Sequence, residues 1–339
     1  MRDGYYSDAY FNHTRETLLA DGRRPQVVMQ VFQKRSAWLG GIDEAIAILK
    51  LCSHEWDALT VRALYDGDRI EPWETVMTIE GDYTLFAHLE TVYLGVLARR
   101  TLVTTNVVEV LQAARSKPVI FMPARHDHWL VQTGDGYAAY LAGQVCGAPI
   151  GVTTDEQASW WGGKGVGTVP HSLIASYDGD TVLAARKFAE WAPADLNVTV
   201  LVDFRNTSVE TALEVARALG PALWGVRLDT SESLVDASLW HELGDFSPTG
   251  VNERLVWKVR EALDAEGFGH VRIVASGGFT KEKITAFEEA GVPVDAYGVG
   301  SSLIRGSNDY TADIVVADGR PAAKVGRRFR PNDRLELVT

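Results

Sequence analysis

The sequence predicts an α/β protein in which a TIM-like (β/α) barrel, incomplete at about seven strands, follows an N-terminal α/β domain. Short apolar runs alternate with amphipathic segments through most of the chain after the first third. Apolar residues stand at consecutive positions in these runs, which indicates strands buried on both faces of a parallel sheet wrapped by helices. A series of such units favours a barrel over an open sheet. The runs cover residues 119–125, 147–154, 166–174, 196–204, 223–230, 271–279 and 296–303.

The segments between these runs have helical character. Thr207-Ser208-Val209-Glu210 has the composition of a capping box, in which the hydroxyl and the carboxylate satisfy backbone N–H groups at a helix start. Asn252 to Glu266 and Lys281 to Ala290 repeat apolar residues at the spacing of one helix face. We therefore expect a helix at each of these places.

The first third of the chain lacks this alternation and is predicted to form its own α/β domain. Gln26 to Phe32 and Val76 to Gly81 have the composition of strands, whereas Gly41 to Cys52 has apolar residues near helical spacing. Thr311 to Val325 resembles a closing pair of strands that rejoins this domain. The predicted domains are an N-terminal α/β domain at 1–114, a catalytic barrel at 115–307 and a returning C-terminal segment at 308–339.

The composition excludes several classes of protein. The formal net charge is −12 at pH 7, and an acidic surface repels phosphate backbones, so we expect neither nucleic acid nor a membrane as partner. The two cysteines, Cys52 and Cys146, are too few for a disulfide framework or a four-cysteine zinc site. The amino terminus carries no apolar run of signal-peptide length. The expected location is the cytoplasm.

Two glycine-rich segments end the last two predicted strands. The first glycine loop is Ser276-Gly277-Gly278, and the second glycine loop is Gly298 to Ser302, which includes Gly300 and Ser301. Glycine lets backbone N–H groups approach an anion, and a helix N-terminus adds a favourable dipole. A pair of such loops on the last barrel strands predicts binding of a 5′-phosphate. The alternative is a pair of tight turns without a ligand.

Charged residues end three other predicted strands. Arg227 and Asp229 lie two residues apart and therefore face the same side of their strand. The arginine suits a phosphate or a carboxylate and the aspartate a ribose hydroxyl or Mg²⁺, unless the two form a closed ion pair. Asp203 ends an apolar run and is expected to bind a metal or a ribose, or to pair with Arg205. Arg125 ends the first run.

Histidines raise two further possibilities. His171 follows a turn proline and is a candidate nucleophile or general base, although a single histidine is more often structural. The run Arg125-His126-Asp127-His128 resembles a set of metal ligands. Consecutive residues rarely converge on one ion, and no further ligands stand nearby in sequence, so we predict no zinc site.

These motifs together are similar to those of a known family. The chain resembles the nicotinate phosphoribosyltransferases, which are type II phosphoribosyltransferases related to the nicotinamide and quinolinate enzymes. The resemblance runs nearly from end to end. The matching segments are Ser7-Asp8-Ala9-Tyr10-Phe11, Ile79-Glu80-Gly81, Leu89-Glu90-Thr91, Arg125, Gly167 to Ser172, Asp203, Val226-Arg227-Leu228-Asp229, both glycine loops, Thr311 to Val315 and Ala323 to Arg327.

The resemblance implies transfer of phosphoribose from phosphoribosyl pyrophosphate to nicotinate, which gives nicotinate mononucleotide and pyrophosphate in NAD biosynthesis. It implies that ATP phosphorylates His171 to drive the reaction. Mg²⁺ would be held with the help of Asp203 and Asp229. Arg125 and Arg227 would hold anionic groups, and the protein would be a homodimer or larger homo-oligomer in which Tyr10 reaches the pyridine ring of the partner's site.

Departures from the family pattern keep other functions open. Met122-Pro123-Ala124-Arg125 replaces a Phe-Gly-x-Arg motif, so the stacking aromatic is either missing or supplied by Phe121. Phe204 to Asn206 also differs from the family. One alternative is a decarboxylating quinolinate phosphoribosyltransferase. Others are a catalytically weakened relative that only binds a phosphorylated metabolite, and a phosphate-binding barrel isomerase or lyase.

Overall fold

The computed structural model describes residues 1–115, 117–193, 196–242, 244 and 246–339. The chain divides into two units. The N-terminal unit joins residues 1–105 to residues 306–339, and the barrel unit comprises residues 106–305.

Short strands and longer helices make up both units. The strands are β1 (Gln26–Phe32), β2 (Ala37–Trp38), β3 (Thr60–Ala63), β4 (Arg69–Ile70), β5 (Thr75–Asp82), β6 (Val119–Phe121), β7 (Ile150–Val152), β8 (Thr199–Leu201), β9 (Gly225–Leu228), β10 (Arg272–Ala275), β11 (Ala296–Val299), β12 (Thr311–Ala317), β13 (Arg320–Pro321) and β14 (Glu336–Leu337). The α-helices are α1 (Ala9–Ala20), α2 (Ile42–Cys52), α3 (Glu90–Ala113), α4 (Gln132–Cys146), α5 (Asp155–Ala158), α6 (His171–Ser176), α7 (Thr181–Trp191), α8 (Ser208–Leu219), α9 (Glu253–Ala265) and α10 (Lys281–Glu289).

A six-stranded antiparallel sheet forms the framework of the N-terminal unit, in the order β13-β12-β1-β5-β3-β14. β1 lies inside the sheet because β5 pairs with one of its edges and β12 with the other. Met29 and Val31 of β1 and Ile79 of β5 are buried in the core of this unit. The strands predicted from residues 26–32 and 76–81 are confirmed, and so is the helix predicted from residues 41–52.

A six-stranded parallel sheet forms the barrel unit, in the order β7-β6-β11-β10-β9-β8. Each strand coincides with one of the apolar runs, and β8 and β11 are buried at every position. The predicted α/β fold class is therefore confirmed. Because the strands are parallel, their carboxyl ends meet at one edge of the sheet.

The run at residues 166–174 differs from the prediction of a strand. It contributes one parallel bridge, between Val169 and Val200. The N–H of Val166 donates to the carbonyl of Val152 on β7 at 2.7 Å, and that of Val169 donates to Thr199 on β8 at 2.9 Å. This segment thus links the two outer strands of the parallel sheet. Pro170 then removes a donor from the ladder, and α6 begins at the next residue.

The helix starts follow the predictions except for one cap. Asn252 caps α9 and Thr280 caps α10 through their side chains. The capping box predicted at Thr207 is wrong, because its hydroxyl makes no cap hydrogen bond. The carboxylate of Asp236 accepts from the N–H of Ser208 at 2.9 Å instead. Within the described ranges, every helix falls short of a membrane span in length or in hydropathy.

A buried carboxylate joins three parts of the barrel unit. Oε1 of Glu288, near the end of α10, accepts from the hydroxyl of Tyr297 on β11 at 2.5 Å and pairs with Nζ of Lys117 at 2.6 Å. The Glu288 side chain is 6% exposed. Buried hydrogen bonds to a charged group contribute more to stability than neutral ones.

We expect Glu288→Ala to lower the free energy of unfolding by about 2 to 3 kcal/mol, because it leaves the Tyr297 hydroxyl buried without a partner. Thermal and urea unfolding would measure the loss. Glu289→Ala is the matched control, since Glu289 is the exposed neighbour and its loss should change stability by about 0.5 kcal/mol or less. Equal effects of the two substitutions would contradict a stabilising role for the Glu288 network.

Candidate active site

A cavity of about 1000 Å³ lies at the carboxyl ends of the parallel strands in the barrel unit. Its wall includes residues that directly follow strands, such as Met122 after β6, Thr153 after β7 and Asp229 after β9. Active sites of (β/α) barrels form at this edge because loops from several strands converge there. Most of the predicted site residues line the cavity, namely Arg125, His171, Arg227, Asp229, Ser276, Gly277, Gly278, Gly300 and Ser301.

His171 and Asp203 form a hydrogen-bonded pair at the cavity wall. Nε2 of His171, the first residue of α6, lies 3.0 Å from Oδ1 of Asp203. The hydrogen bond to this carboxylate raises the pKa of His171, against the opposing effect of partial burial. Asp203 is 7% exposed and reaches the cavity through the histidine. Within the part of the chain that the structure describes, its ion-pair partner is His171 and not Arg205.

Arg227 is held from two sides at the end of β9. Its Nη2 lies 3.4 Å from Oδ2 of Asp229, and its Nη1 donates to Oγ1 of Thr168 at 2.8 Å. Oγ of Ser276 donates to Oδ1 of the same aspartate at 2.8 Å. The ion pair does not satisfy the arginine, because its buried Nε has no hydrogen-bond partner among the described residues. An unsatisfied buried donor of this kind calls for a ligand or a water.

Two consecutive glycines with positive φ angles shape the first glycine loop. Gly277 and Gly278 have φ angles of 83° and 71°, a region that residues with a side chain rarely adopt. The N–H of Ser276 donates to the carbonyl of Leu228 at 2.8 Å, so it anchors the loop to β9. Nζ of Lys283, in the first turn of α10, lies 3.4 Å from the carbonyl oxygen of Gly277. Thr280, two residues after Gly278, caps α10, so the N-terminus of this helix follows the loop closely.

Close packing surrounds the second glycine loop. A Cβ on Gly298 would lie 2.7 Å from Cε of Met122, and one on Gly300 would lie 2.8 Å from Cε1 of His126. Neither position has space for a side chain without movement of its neighbour. Oγ of Ser302 donates to the carbonyl of Phe279 at 2.9 Å, which connects the second loop to the segment after the first.

The sequence left open whether Phe121 supplies an aromatic ring to the cavity. Phe121 is fully buried and does not line the cavity. Met122 lines it instead, so a flexible thioether stands where the family motif has an aromatic ring. Phe204 packs near the His171 ring, with centroids 6.2 Å apart.

Several residues of the cavity wall were not predicted from the sequence. Thr168 belongs to the family-like segment Gly167 to Ser172, but its contact with Arg227 joins positions 59 apart in the chain. His126 and Arg305 also line the cavity. Arg305 directly follows the 3-10 helix Ser301–Ile304, which begins inside the second glycine loop. Glu232 also lines the wall, and its carboxylate occupies the place where a Cβ on Gly278 would stand.

The carboxylates near the cavity suit one kind of metal ion. No group of three or more His, Cys, Asp or Glu side chains in the described ranges could hold a metal. Mg²⁺ needs fewer protein ligands, because it is commonly bound by one or two carboxylates together with waters and substrate phosphates. Asp203 and Asp229 provide such a pair around His171, whose pKa both carboxylates raise. Asp229 lines the cavity, whereas Asp203 lies behind His171.

Tyr10 belongs to the N-terminal unit. It lies in the first turn of α1 and its side chain is 60% exposed. Partial desolvation raises the pKa of the phenol, and so does Asp8, whose Oδ2 accepts from the hydroxyl at 3.3 Å. The ring is thus accessible on the surface of this unit.

The family model and the curated relatives that match this chain are all described as phosphoribosyltransferases. Residues 8–101 match the family model described as quinolinate phosphoribosyl transferase, N-terminal domain. A nicotinate phosphoribosyltransferase of Mycobacterium tuberculosis is 30% identical over 268 residues, which are 76% of this chain and 54% of the relative. One from Bacillus subtilis is 23% identical over 245 residues, with coverages of 71% and 45%. The chain thus spans about half the length of these curated relatives.

Solved structures extend the similarity over the whole chain. A nicotinate-nucleotide pyrophosphorylase from Pyrococcus furiosus superposes with a TM-score of 0.83 and 31% identity, covering 99% of this chain and 83% of the other. Human nicotinic acid phosphoribosyltransferase superposes with a TM-score of 0.70 at 18% identity, covering 95% and 77%. The second similarity concerns the fold alone.

Proposed function

Because the chain belongs to the nicotinate phosphoribosyltransferase family of type II phosphoribosyltransferases, we propose that it transfers phosphoribose from phosphoribosyl pyrophosphate to nicotinate. The products are nicotinate mononucleotide and pyrophosphate, for NAD biosynthesis in the cytoplasm. One observation carries the proposal. A single cavity is lined by both glycine loops, by His171 and by the Arg227–Asp229 pair.

The reaction requires stabilisation of charge at both ends of the sugar. The pyridine nitrogen attacks C1′, the bond from C1′ to the pyrophosphate oxygen breaks, and the leaving group departs with both electrons of that bond. The sugar becomes oxocarbenium-like on the way, so preorganised charges should supply most of the rate enhancement. Gly277, Gly278, Gly300 and Ser301 would hold the 5′-phosphate through backbone N–H groups. Arg125 and Arg227 would hold the anionic groups of the two substrates.

Two carboxylates would assist with the donor sugar. Asp203 and Asp229 would hold Mg²⁺ together with oxygens of the substrate, and the ion would neutralise charge on the pyrophosphate. Thr168 and Asp229 keep the guanidinium of Arg227 in place by the hydrogen bonds described above. A fixed guanidinium orients the anion that it binds, which holds the reacting atoms in register.

The hydrogen bond between His171 and Asp203 supports a role for His171 as a phosphoryl acceptor. When Nε2–H donates to Asp203, Nδ1 of the neutral ring keeps its lone pair. We propose that Nδ1 takes the γ-phosphoryl group of ATP, with ADP as the leaving group. Hydrolysis of that phosphohistidine would drive mononucleotide formation forward.

The decisive experiment measures mononucleotide formation from phosphoribosyl pyrophosphate and Mg²⁺. Nicotinate, nicotinamide and quinolinate are compared, each with and without ATP. Turnover with nicotinate that ATP increases would support the proposal. Absence of turnover with every base, despite binding of the donor, would instead indicate a weakened relative that binds a phosphorylated metabolite.

A second candidate is decarboxylating quinolinate phosphoribosyltransferase. The family model that matches residues 8–101 carries that name, and Arg125, Arg227 and Arg305 line the cavity, enough positive charge for a dicarboxylate. Turnover of quinolinate with release of carbon dioxide, and none with nicotinate, would favour this candidate.

Tyr10→Ala should raise KM for the pyridine several-fold and leave KM for phosphoribosyl pyrophosphate unchanged, if the active protein is a homodimer or larger homo-oligomer. The reason is that the exposed Tyr10 ring would stack on the base in the partner's site. Steady-state kinetics and sedimentation measure the two properties together. Tyr6→Ala, in a neighbouring exposed tyrosine, is the control. A fully active wild-type monomer would disprove the assignment.

A further inference from the structure

The run Arg125-His126-Asp127-His128 separates into two histidines with different surroundings. His126 lines the cavity, whereas His128 does not. Nδ1 of His128 accepts from the N–H of Leu130 at 3.2 Å and so caps the short helix at Trp129–Val131. The two side chains therefore have different tasks, and the proposed reaction as derived above uses neither.

The imidazole of His126 lies directly on the second glycine loop. A Cβ built on Gly300 would be 2.8 Å from Cε1 and 3.3 Å from Nδ1 of the ring. The ring thus occupies the space beside the Gly300 backbone that a side chain would fill. An anion held at the second glycine loop would lie within reach of a ring nitrogen, because the imidazole forms part of the same wall.

Two guanidinium groups determine the charge around this ring. Arg125 stands next to it in the chain, and Arg305 follows the second glycine loop. Burial lowers the pKa of His126, and the charges of Arg125 and Arg305 lower it further. Since an unperturbed histidine titrates near 6.5, the ring is neutral at pH 7 when the cavity holds no anion.

Binding of a doubly charged anion reverses this balance. A phosphoryl group at the second loop would neutralise the two guanidinium groups and attract positive charge to the ring. The ring would then take up a proton and donate a charge-assisted hydrogen bond to the ligand.

We propose that His126 is a further anion-binding residue of this cavity, which becomes protonated when a phosphoryl group binds at the second glycine loop. The identity of that group as part of phosphoribosyl pyrophosphate rests on the proposed function. The anion subsite itself does not require turnover.

Inorganic sulfate is a suitable probe because it stays doubly charged between pH 5.5 and about 8.5, so any proton uptake comes from the protein. Its dissociation constant is measured across this range for the wild type and for His126→Asn. His128→Asn is the matched control from the same run. We expect the wild-type dissociation constant to rise with pH, by up to about tenfold per unit between the pKa values of the free and the bound ring. His126→Asn should lose this part of the slope, and the control should keep it.

His171 also lines the cavity, but it remains in every variant. A difference in slope between the variants therefore comes from His126. Equal slopes for the wild type and His126→Asn would overturn the proposal, as would a pH-independent weakening by the substitution. Thermal unfolding of each variant verifies that the fold is retained. If the slope depends on His126 but no base yields a mononucleotide, the proposed function fails while the anion subsite stands.

Discussion

Arg227→Ala is expected to lower kcat/KM by about 10²- to 10³-fold and to leave the fold intact. Arg227 contacts both Thr168 and Asp229 in the cavity wall, and its buried Nε has no hydrogen-bond partner among the described residues. Its loss removes a forked donor for an anionic substrate and frees the carboxylate of Asp229 from its guanidinium. Steady-state kinetics with both substrates, together with circular dichroism, would measure the effect.

Two further variants test whether the loss of activity comes from the planar fork of Arg227 and from its position in the cavity. Arg227→Lys keeps the charge but not the planar fork, so it should recover only a small part of the activity. Arg272→Ala removes another strand arginine, which pairs with Asp295 at 2.8 Å and does not line the cavity. That control should keep near-normal kinetics. Near-normal kcat/KM for Arg227→Ala would exclude the arginine from the site.

His171→Ala is expected to abolish the stimulation by ATP and to keep slow transfer of phosphoribose. The hydrogen bond between Nε2 and Asp203 leaves Nδ1 as the nucleophile for a phosphoryl group. Initial rates with and without ATP, and trapping of a phosphorylated protein, would test it. His270→Asn is the control, because that histidine is exposed and lies outside the cavity wall. Unchanged stimulation in His171→Ala would make His171 structural.

The same hydrogen bond predicts a pH dependence. The nucleophile is the neutral ring, and Asp203 raises the pKa of His171, so stimulation by ATP should decline as pH falls through that raised pKa. Asp203→Asn removes the main cause of the shift and should move this acid limb to lower pH. An acid limb that does not move would separate His171 from ATP coupling.

Local composition was sufficient for the elements of the site that do not depend on distant partners. Consecutive apolar residues predicted β6 to β11, because a strand covered on both faces needs them at every position. Gly277 and Gly278 were identifiable since their φ angles are open mainly to glycine. Arg125, His171, Asp203, Arg227 and Asp229 could be selected because polar residues at the ends of buried strands collect at one edge of a parallel sheet.

Predictions from the sequence pattern were wrong where one residue changed the backbone, or where a hydrogen-bond partner came from a distant part of the chain. Residues 166–174 have the apolar content of a strand, yet Pro170 ends the ladder and α6 begins. The box at Thr207 was a local interpretation, whereas the observed acceptor for the N–H of Ser208 is Asp236. A local sequence motif cannot predict whether a near or a distant acceptor takes the hydrogen bond.

The fold class, the glycine loops and the polar residues at the strand ends could be inferred from residue types alone, because each is encoded within a few positions. Their contacts became visible only in the folded chain, where Thr168 meets Arg227, His126 meets Gly300, and Met122 replaces an aromatic ring in the cavity wall. The physical reason is that a hydrogen bond or a packing contact depends on distances between atoms. Those distances are set by how the strands associate, not by their spacing along the chain.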